Sequence, residues 1–126
     1  MASSSVTRPV ELSPQPAAAR LELTRLIADE PWEGDVDGVL LAVHEAMVNS
    51  QRHGGGVTHV SACVDRDNVV VQISDRGKGF HVPRNPASVD VNAERGRGLF
   101  LIRRLADDVQ VARAGAEVRL TLRFGR

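Results

Sequence analysis

Glu45 and Asn49 are a pair of residues whose types and spacing could do chemistry. Residues four positions apart on a helix lie on the same face, so this carboxylate and this amide would point in one direction. The asparagine could offer Mg²⁺ a neutral oxygen ligand, and the glutamate could act as a base or as an outer-shell partner of the hydrated metal. An exposed polar helix face would carry the same residues, and the pair alone favours that simpler interpretation.

A second candidate is the segment Asp75-Arg76-Gly77-Lys78-Gly79-Phe80, which directly follows a strand-like apolar run. An aspartate at a strand end can accept a hydrogen bond from an amino group such as that of adenine. Gly77 and Gly79 permit positive φ and a close approach by ligand or backbone. An ordinary strand-to-loop turn rich in Asp and Gly is the alternative, and this motif alone does not separate the two.

A third candidate is Arg95-Gly96-Arg97-Gly98-Leu99, at the predicted start of a helix. Glycines at such a start expose backbone N–H groups and the positive end of the helix dipole, which suits phosphate oxygens. Arg95 and Arg97 add cationic donors able to grip phosphate. The spacing is neither that of a P-loop nor that of a dinucleotide fingerprint. A flexible hinge is the alternative.

Together the three segments contain the parts that a nucleotide needs. They combine a carboxylate for the base, a helix face for the metal, and glycine-rich backbone for the phosphates. The long stretch over residues 75–98 is broken by Gly, Pro and Asn, which is typical of a functional loop. The combination favours a nucleotide site over the three simpler interpretations taken separately.

The elements that must position these residues follow from the hydrophobic pattern. Helical spacing predicts helices over residues 17–28, 35–52 and 99–106. Alternation and turn residues predict strands over residues 6–12, 57–64, 69–74, 109–112 and 118–124. Pro9 restricts the first strand to a sheet edge. This order predicts an α+β fold, a two-layer sandwich of a mixed, mostly antiparallel sheet with helices on one face.

The helix over residues 35–52 carries the first candidate pair. Its core-facing stripe is formed by Val36, Val39, Leu40, Val43 and Met47. The candidate pair lies roughly opposite this stripe, and apolar residues beside the pair predict that something partly covers it.

Composition bounds the class of protein. The 126 residues, 42% of them hydrophobic, suit one compact domain over residues 6–126 after a flexible tail at 1–5. The 16 basic and 16 acidic residues give no net charge, and aromatic residues make up 3%, so neither nucleic acid nor an anionic membrane is indicated as a direct partner. The single cysteine, Cys63, and the lack of a membrane-length apolar stretch predict a cytoplasmic protein.

In this order, the motifs resemble those of the GHKL ATPase superfamily of gyrase, Hsp90, histidine kinases and MutL. Within it, the sequence is most similar to the anti-sigma factor serine kinases. Residues 40–54 resemble the N box of that family, residues 75–80 the first glycine box and residues 96–105 the second. The resemblance covers residues 6–124 and implies the Bergerat ATP-binding fold, with ATP and Mg²⁺ as ligands.

The resemblance also implies roles for single residues. Asn49 would bind Mg²⁺, and Glu45 would be the general base that activates a serine hydroxyl of a protein substrate. Asp75 would bond the adenine amino group, with the glycines at 77 and 79 shaping the pocket around the base. The glycines at 96 and 98 would support the lid over the phosphates. The arginines at 95 and 97 are added from their charge and position.

The activity implied by the resemblance is that of an anti-sigma factor serine kinase. Such a protein sequesters a sigma factor and phosphorylates a serine of a STAS-domain anti-sigma factor antagonist. The family implies a homodimer, for which the N-terminal edge strand offers a pairing surface.

One residue departs from the family pattern. Near the last hairpin the family carries Gly-Thr, whose hydroxyl helps the adenine-binding network, whereas here Gly115 precedes Ala116. The alternative is therefore a partly degenerate nucleotide-binding regulatory module, which binds a sigma factor or another regulator without kinase activity. A nucleotide-independent structural protein would leave the Asp-x-Gly-x-Gly spacing unexplained.

Overall fold

A computed structural model of the chain describes residues 8–77 and 96–126. The elements in chain order are β1 (Val10–Leu12), α1 (Pro16–Ala28), α2 (Val36–His53), β2 (Val57–Val64), β3 (Asn68–Asp75), α3 (Gly96–Leu105), β4 (Asp108–Ala114) and β5 (Glu117–Gly125). The predicted tail and most of the predicted functional loop lie outside the described residues. Among the described helices, none is long and apolar enough to cross a membrane.

The five strands form one sheet in the order β1-β2-β3-β5-β4. Each neighbouring pair is antiparallel, so the prediction of a mostly antiparallel sheet is confirmed. The register aligns Ala62 with Val71 and Val71 with Leu122, which carries one apolar row across three strands. The strand at the N-terminus is an edge strand, as Pro9 predicts.

The core lies between the apolar face of this sheet and the helices. Alternate residues of β5 are buried, as its alternating pattern predicts. They join one cluster with residues of α1, α2 and α3. Leu23, Met47, Ile73, Ile102 and Leu122 are the largest fully buried side chains of that cluster. Replacing one of them with alanine would cost about 2–5 kcal/mol, because the transfer energy is lost and a cavity remains.

Helix α2 is the element that carries the candidate pair, and both of its ends are built by local contacts. Asp35 caps the N-terminus by accepting a hydrogen bond from the Gly38 N–H at 3.0 Å. At the other end the Gly54 N–H donates to the Ser50 carbonyl at 2.8 Å, and Gly55, with φ of 84°, turns the chain away. The predicted stripe faces the core, with four of its five members buried.

Two boundaries differ from the sequence predictions by three residues or more. Helix α3 begins at Gly96, three residues earlier than the predicted start at 99. The low helix propensity of glycine moved the predicted start past both glycines, whereas the helix includes them in its first turn. Strand β1 covers Val10–Leu12 of the predicted 6–12, and residues 6 and 7 lie outside the described part of the chain.

The turn between β2 and β3 forms where its polar residues predict it. The Asp65 carboxylate accepts hydrogen bonds from the backbone N–H groups of Asp67 and Asn68, both at 2.8 Å. An aspartate that bonds backbone two and three residues ahead is a frequent device of tight turns. The two strands therefore pair in register from Val64 and Val69 onward.

Candidate functional site

Asp75 is the last residue of β3, and strand geometry determines where its side chain points. Successive side chains of a strand alternate between faces, so Asp75 shares a face with Val71 and Ile73. Val71 and Ile73 are both buried beneath the helices. Asp75 itself is 3% exposed, which puts a carboxylate inside the helix-covered layer at the end of the strand.

Among the described residues, two hydrogen-bond donors and one glycine lie against this carboxylate. The Gly77 N–H donates to Asp75 Oδ1 at 2.7 Å, and the Ser50 hydroxyl donates a second hydrogen bond. Gly54 lies directly against the carboxylate, so any side chain at that position would collide with it. The helix end, the glycine turn and the strand end therefore meet at Asp75.

Burial raises the pKa of Asp75 above its ordinary value, because desolvation disfavours the charged form. The Gly77 N–H and the Ser50 hydroxyl oppose this rise, and Arg113 opposes it weakly, whereas the charge of Glu117 adds to it. Two donors do not use all the acceptor positions of a carboxylate, which has about four. The remaining positions suit an amino group of a ligand.

Gly77 begins the loop after β3 and needs to be glycine for two reasons. Its φ is +76°, a conformation that glycine permits and that other residues rarely adopt. A Cβ on Gly77 would also lie 2.6 Å from the Ala116 carbonyl oxygen and 3.1 Å from Arg113 Nη1. The start of the loop therefore rests on the turn between β4 and β5.

Glu45 and Asn49 lie one turn apart on α2, and both are half-buried. Val48 beside them is also half-buried, while Leu41, one turn earlier, is 42% exposed. The predicted partial cover therefore holds for residues 45, 48 and 49, whereas Leu41 is exposed. Asn49 directly precedes Ser50 in the last turns of α2, and the Ser50 hydroxyl bonds the Asp75 carboxylate.

The oxygen atoms on this face suit a magnesium ion that is coordinated mainly by water and by phosphate oxygens of a bound molecule. Within the described ranges, no group of three or more His, Cys, Asp or Glu side chains could hold a metal by itself. Mg²⁺ keeps several waters and needs only one or two protein oxygens when phosphates supply the others. The Asn49 amide and the nearby Glu45 carboxylate meet that smaller requirement.

The remaining predicted residues are described only in part. Gly79 and Arg95 lie outside the described residues. Gly96, Arg97, Gly98 and Leu99 form the first turn of α3, where the backbone alone is described. Helix α3 packs against α2. The described structure thus joins Asp75 and Gly77 directly, leaves Asn49 one residue before the Asp75 partner Ser50, and packs the helix that carries the glycine turn against α2.

Three residues of this region were missed by the sequence reasoning. Ser50 is a polar residue three positions after the buried Met47 and four after the buried Ala46, which is a detectable signal at helical spacing. Gly54 ends α2 with a φ of −95° that needs no glycine, and its contact with Asp75 has no signal in the sequence. Arg113 sits in an alternating strand and had no local signal.

The sequence matches the family described as the histidine kinase-like ATPase domain over residues 9–123. It is also similar to the serine-protein kinase RsbW of Oceanobacillus iheyensis, with 30% identity. That alignment covers 60% of this chain and 57% of the relative, so the matched region is a little over half of the relative's length.

Proposed function

This chain belongs to the histidine kinase-like ATPase domain family, and on that premise we propose that it is an anti-sigma factor serine kinase. It binds ATP with Mg²⁺, sequesters a sigma factor, and phosphorylates a serine of a STAS-domain anti-sigma factor antagonist. The name of its relative, a serine-protein kinase, supports the choice of a protein substrate.

The observation that carries the proposal is the buried carboxylate of Asp75. A carboxylate that is only 3% exposed lowers the stability of the fold unless donors form hydrogen bonds to it. The adenine amino group is a donor of the right kind. The Gly77 N–H holds one Asp75 oxygen at 2.7 Å, and Gly54 has no side chain that would collide with the carboxylate. Asp75 therefore recognises the base, with the glycines at 77 and 79 shaping the pocket.

The phosphates belong at the other end of the site. Asn49 supplies an oxygen ligand for Mg²⁺, which would neutralise phosphate charge when bound. Backbone N–H groups at Gly96 and Gly98 face the phosphates with the positive end of the α3 dipole, and the side chains of Arg95 and Arg97 add charge. Leu99 is the last residue of that first turn of α3.

Glu45 is the general base. Phosphoryl transfer to a hydroxyl asks for positioning and charge stabilisation more than covalent chemistry. Glu45 accepts the proton of the substrate serine as that oxygen attacks the γ-phosphorus and ADP leaves. The position of Glu45 one turn before Asn49 keeps the base beside the metal ligand.

The partners follow from the same family. The sigma factor and the antagonist bind as proteins, without direct contact between this chain and nucleic acid or a membrane. Two copies associate as a homodimer in the cytoplasm, with the free edge of β1 as a pairing surface.

The test is transfer of labelled phosphate from ATP to a STAS-domain protein of the same organism. Glu45→Ala should lower the transfer rate about 10²- to 10⁴-fold, the usual contribution of a general base, and leave ATP affinity close to the parent value. Glu33→Ala, at an exposed acidic residue before α2, is the matched control and should keep the parent rate. Transfer by Glu45→Ala at the parent rate would contradict the assigned base.

A second candidate function is supported by Ala116. The turn that touches Gly77 carries no hydroxyl there, which favours a partly degenerate module that binds a regulator without kinase activity. Calorimetry with Mg·ATP separates the two. Weak or absent ATP binding together with no phosphate transfer, while binding of a purified sigma factor is retained, would support the module and remove the kinase.

A further inference from the structure

Ser50 is a polar side chain in a place where apolar residues are expected. It is 7% exposed, on the core-facing side of α2. A buried hydroxyl needs a hydrogen-bond partner, because leaving it unpaired away from water is destabilising. The partner here is the Asp75 carboxylate, 25 positions later in the chain.

The backbone of Ser50 is tied to the same region. Its carbonyl accepts hydrogen bonds from the Gly54 N–H at 2.8 Å and from the Gly56 N–H at 3.4 Å. The Gly56 carbonyl in turn accepts from the Arg76 N–H at 3.3 Å. Ser50 therefore connects the end of α2 to the residue after Asp75 through backbone as well as through its hydroxyl.

These contacts leave the Asp75 carboxylate little freedom to rotate. The Gly77 N–H holds Oδ1, the Ser50 hydroxyl gives a second donor from α2, and Gly54 blocks the adjacent side. An acceptor group held in one orientation discriminates between ligands better than a mobile one. A ligand donor meets a lone pair, whereas a ligand acceptor meets repulsion and leaves the buried carboxylate unpaired.

We propose that Ser50 is a positioning residue that sets the preference of this site for a purine with an amino group at position 6 over one with an oxo group. The inference rests on the proposed nucleotide site and deepens it, because it assigns the selectivity to a residue that acts through Asp75. Ser50 itself is not assigned a contact with the nucleotide.

The test compares Mg·ATP with Mg·ITP, which carries an oxo group where ATP carries the amino group. In the parent protein, ATP should bind more tightly than ITP in calorimetry. Ser50→Ala should weaken ATP about tenfold, as expected for a lost hydrogen bond to a charged group, and change ITP less than about twofold. The ratio of the two affinities should therefore fall about tenfold.

Two variants complete the test. Ser50→Thr keeps the hydroxyl and should retain most of the selectivity. Ser74→Ala removes a serine that is only 5% exposed and lies next to Asp75 in β3, with its side chain on the opposite face of the sheet. This variant should leave the ratio of the two affinities unchanged. Circular dichroism of each variant verifies the fold. Ser50→Ala is expected to fold because alanine is favoured in a helix.

Each outcome decides one claim. Equal weakening of ATP and ITP by Ser50→Ala, or no change of either, would overturn the positioning role and leave the proposed function standing. A parent protein that binds neither nucleotide would overturn the proposed function and this inference together.

Discussion

The two faces of the sheet hold charged side chains in opposite ways. On the helix-covered face, Asp75 is 3% exposed and is held by two donors and a glycine wall. On the open face, Glu11 and His59 form an ion pair at 3.0 Å with 69% and 62% of their side chains exposed. The comparison shows that the buried carboxylate depends on specific neighbours, whereas the exposed pair contributes little to stability because water screens it.

The largest expected effect is that of Asp75→Asn. It should lower ATP affinity about 10- to 100-fold, because a hydrogen bond to a charged group contributes about 1.5–3 kcal/mol. The asparagine oxygen can still accept from the Gly77 N–H, so the fold should not lose stability. Calorimetry gives the affinity, and Asp29→Asn, at an exposed carboxylate after α1, is the matched control. Unchanged ATP affinity would remove Asp75 from the site.

The next effect concerns the wall beside that carboxylate. Gly54→Ala should cost about 1–3 kcal/mol of unfolding free energy, because the new Cβ collides with the carboxylate and the backbone must shift. The backbone angle at this position suits any residue, so strain of φ does not contribute. Urea denaturation measures the change.

A double variant sharpens this result. In the Asp75→Ala background, Gly54→Ala should cost much less, since the colliding group is gone. Equal costs in the two backgrounds would mean that Gly54 is needed for another reason than its contact with Asp75.

A smaller effect is the pH dependence of stability. Because the pKa of Asp75 in the folded protein lies above its ordinary value of 3.8, the native state binds the proton more tightly than the unfolded state. Its contribution to stability is therefore greatest below pH 3.8 and is lost as pH rises through the raised value. The parent should lose stability relative to Asp75→Asn over that interval in thermal unfolding. A difference that stays constant with pH would contradict the raised pKa.

The smallest effect is expected on the open face. Glu11→Gln should change the unfolding free energy by less than about 1 kcal/mol, and added salt should reduce the change further. The pair also requires a protonated histidine. A loss comparable to that of Gly54→Ala would break the contrast between the two faces.

The fold was largely predictable because its signals are local. The apolar stripe of α2 and the alternation in β5 depend on neighbouring residues, and both elements form where these patterns predict them. The start of α3 was predicted three residues late because glycine lowers helix propensity but does not prevent a first helical turn.

The candidate site was predictable only in its separate motifs. Asp75 and Gly77 could be found from their position after a strand. The role of Ser50 could not, because its hydroxyl meets a carboxylate 25 residues away and only the folded chain brings them together. For the same reason Gly54 could be predicted as a helix end but not as a neighbour of the Asp75 carboxylate.

The contact between Gly77 and the turn at Ala116 has a consequence for protein engineering. Lengthening that turn would displace the carbonyl that Gly77 packs against, so a reporter or affinity tag should not be inserted there. The opposite end of β3 offers a better insertion point, at the turn over residues 65–68. It lies about 23 Å along the strand from Asp75, at roughly 3.3 Å per residue, and an insertion there would leave the surroundings of that carboxylate unchanged.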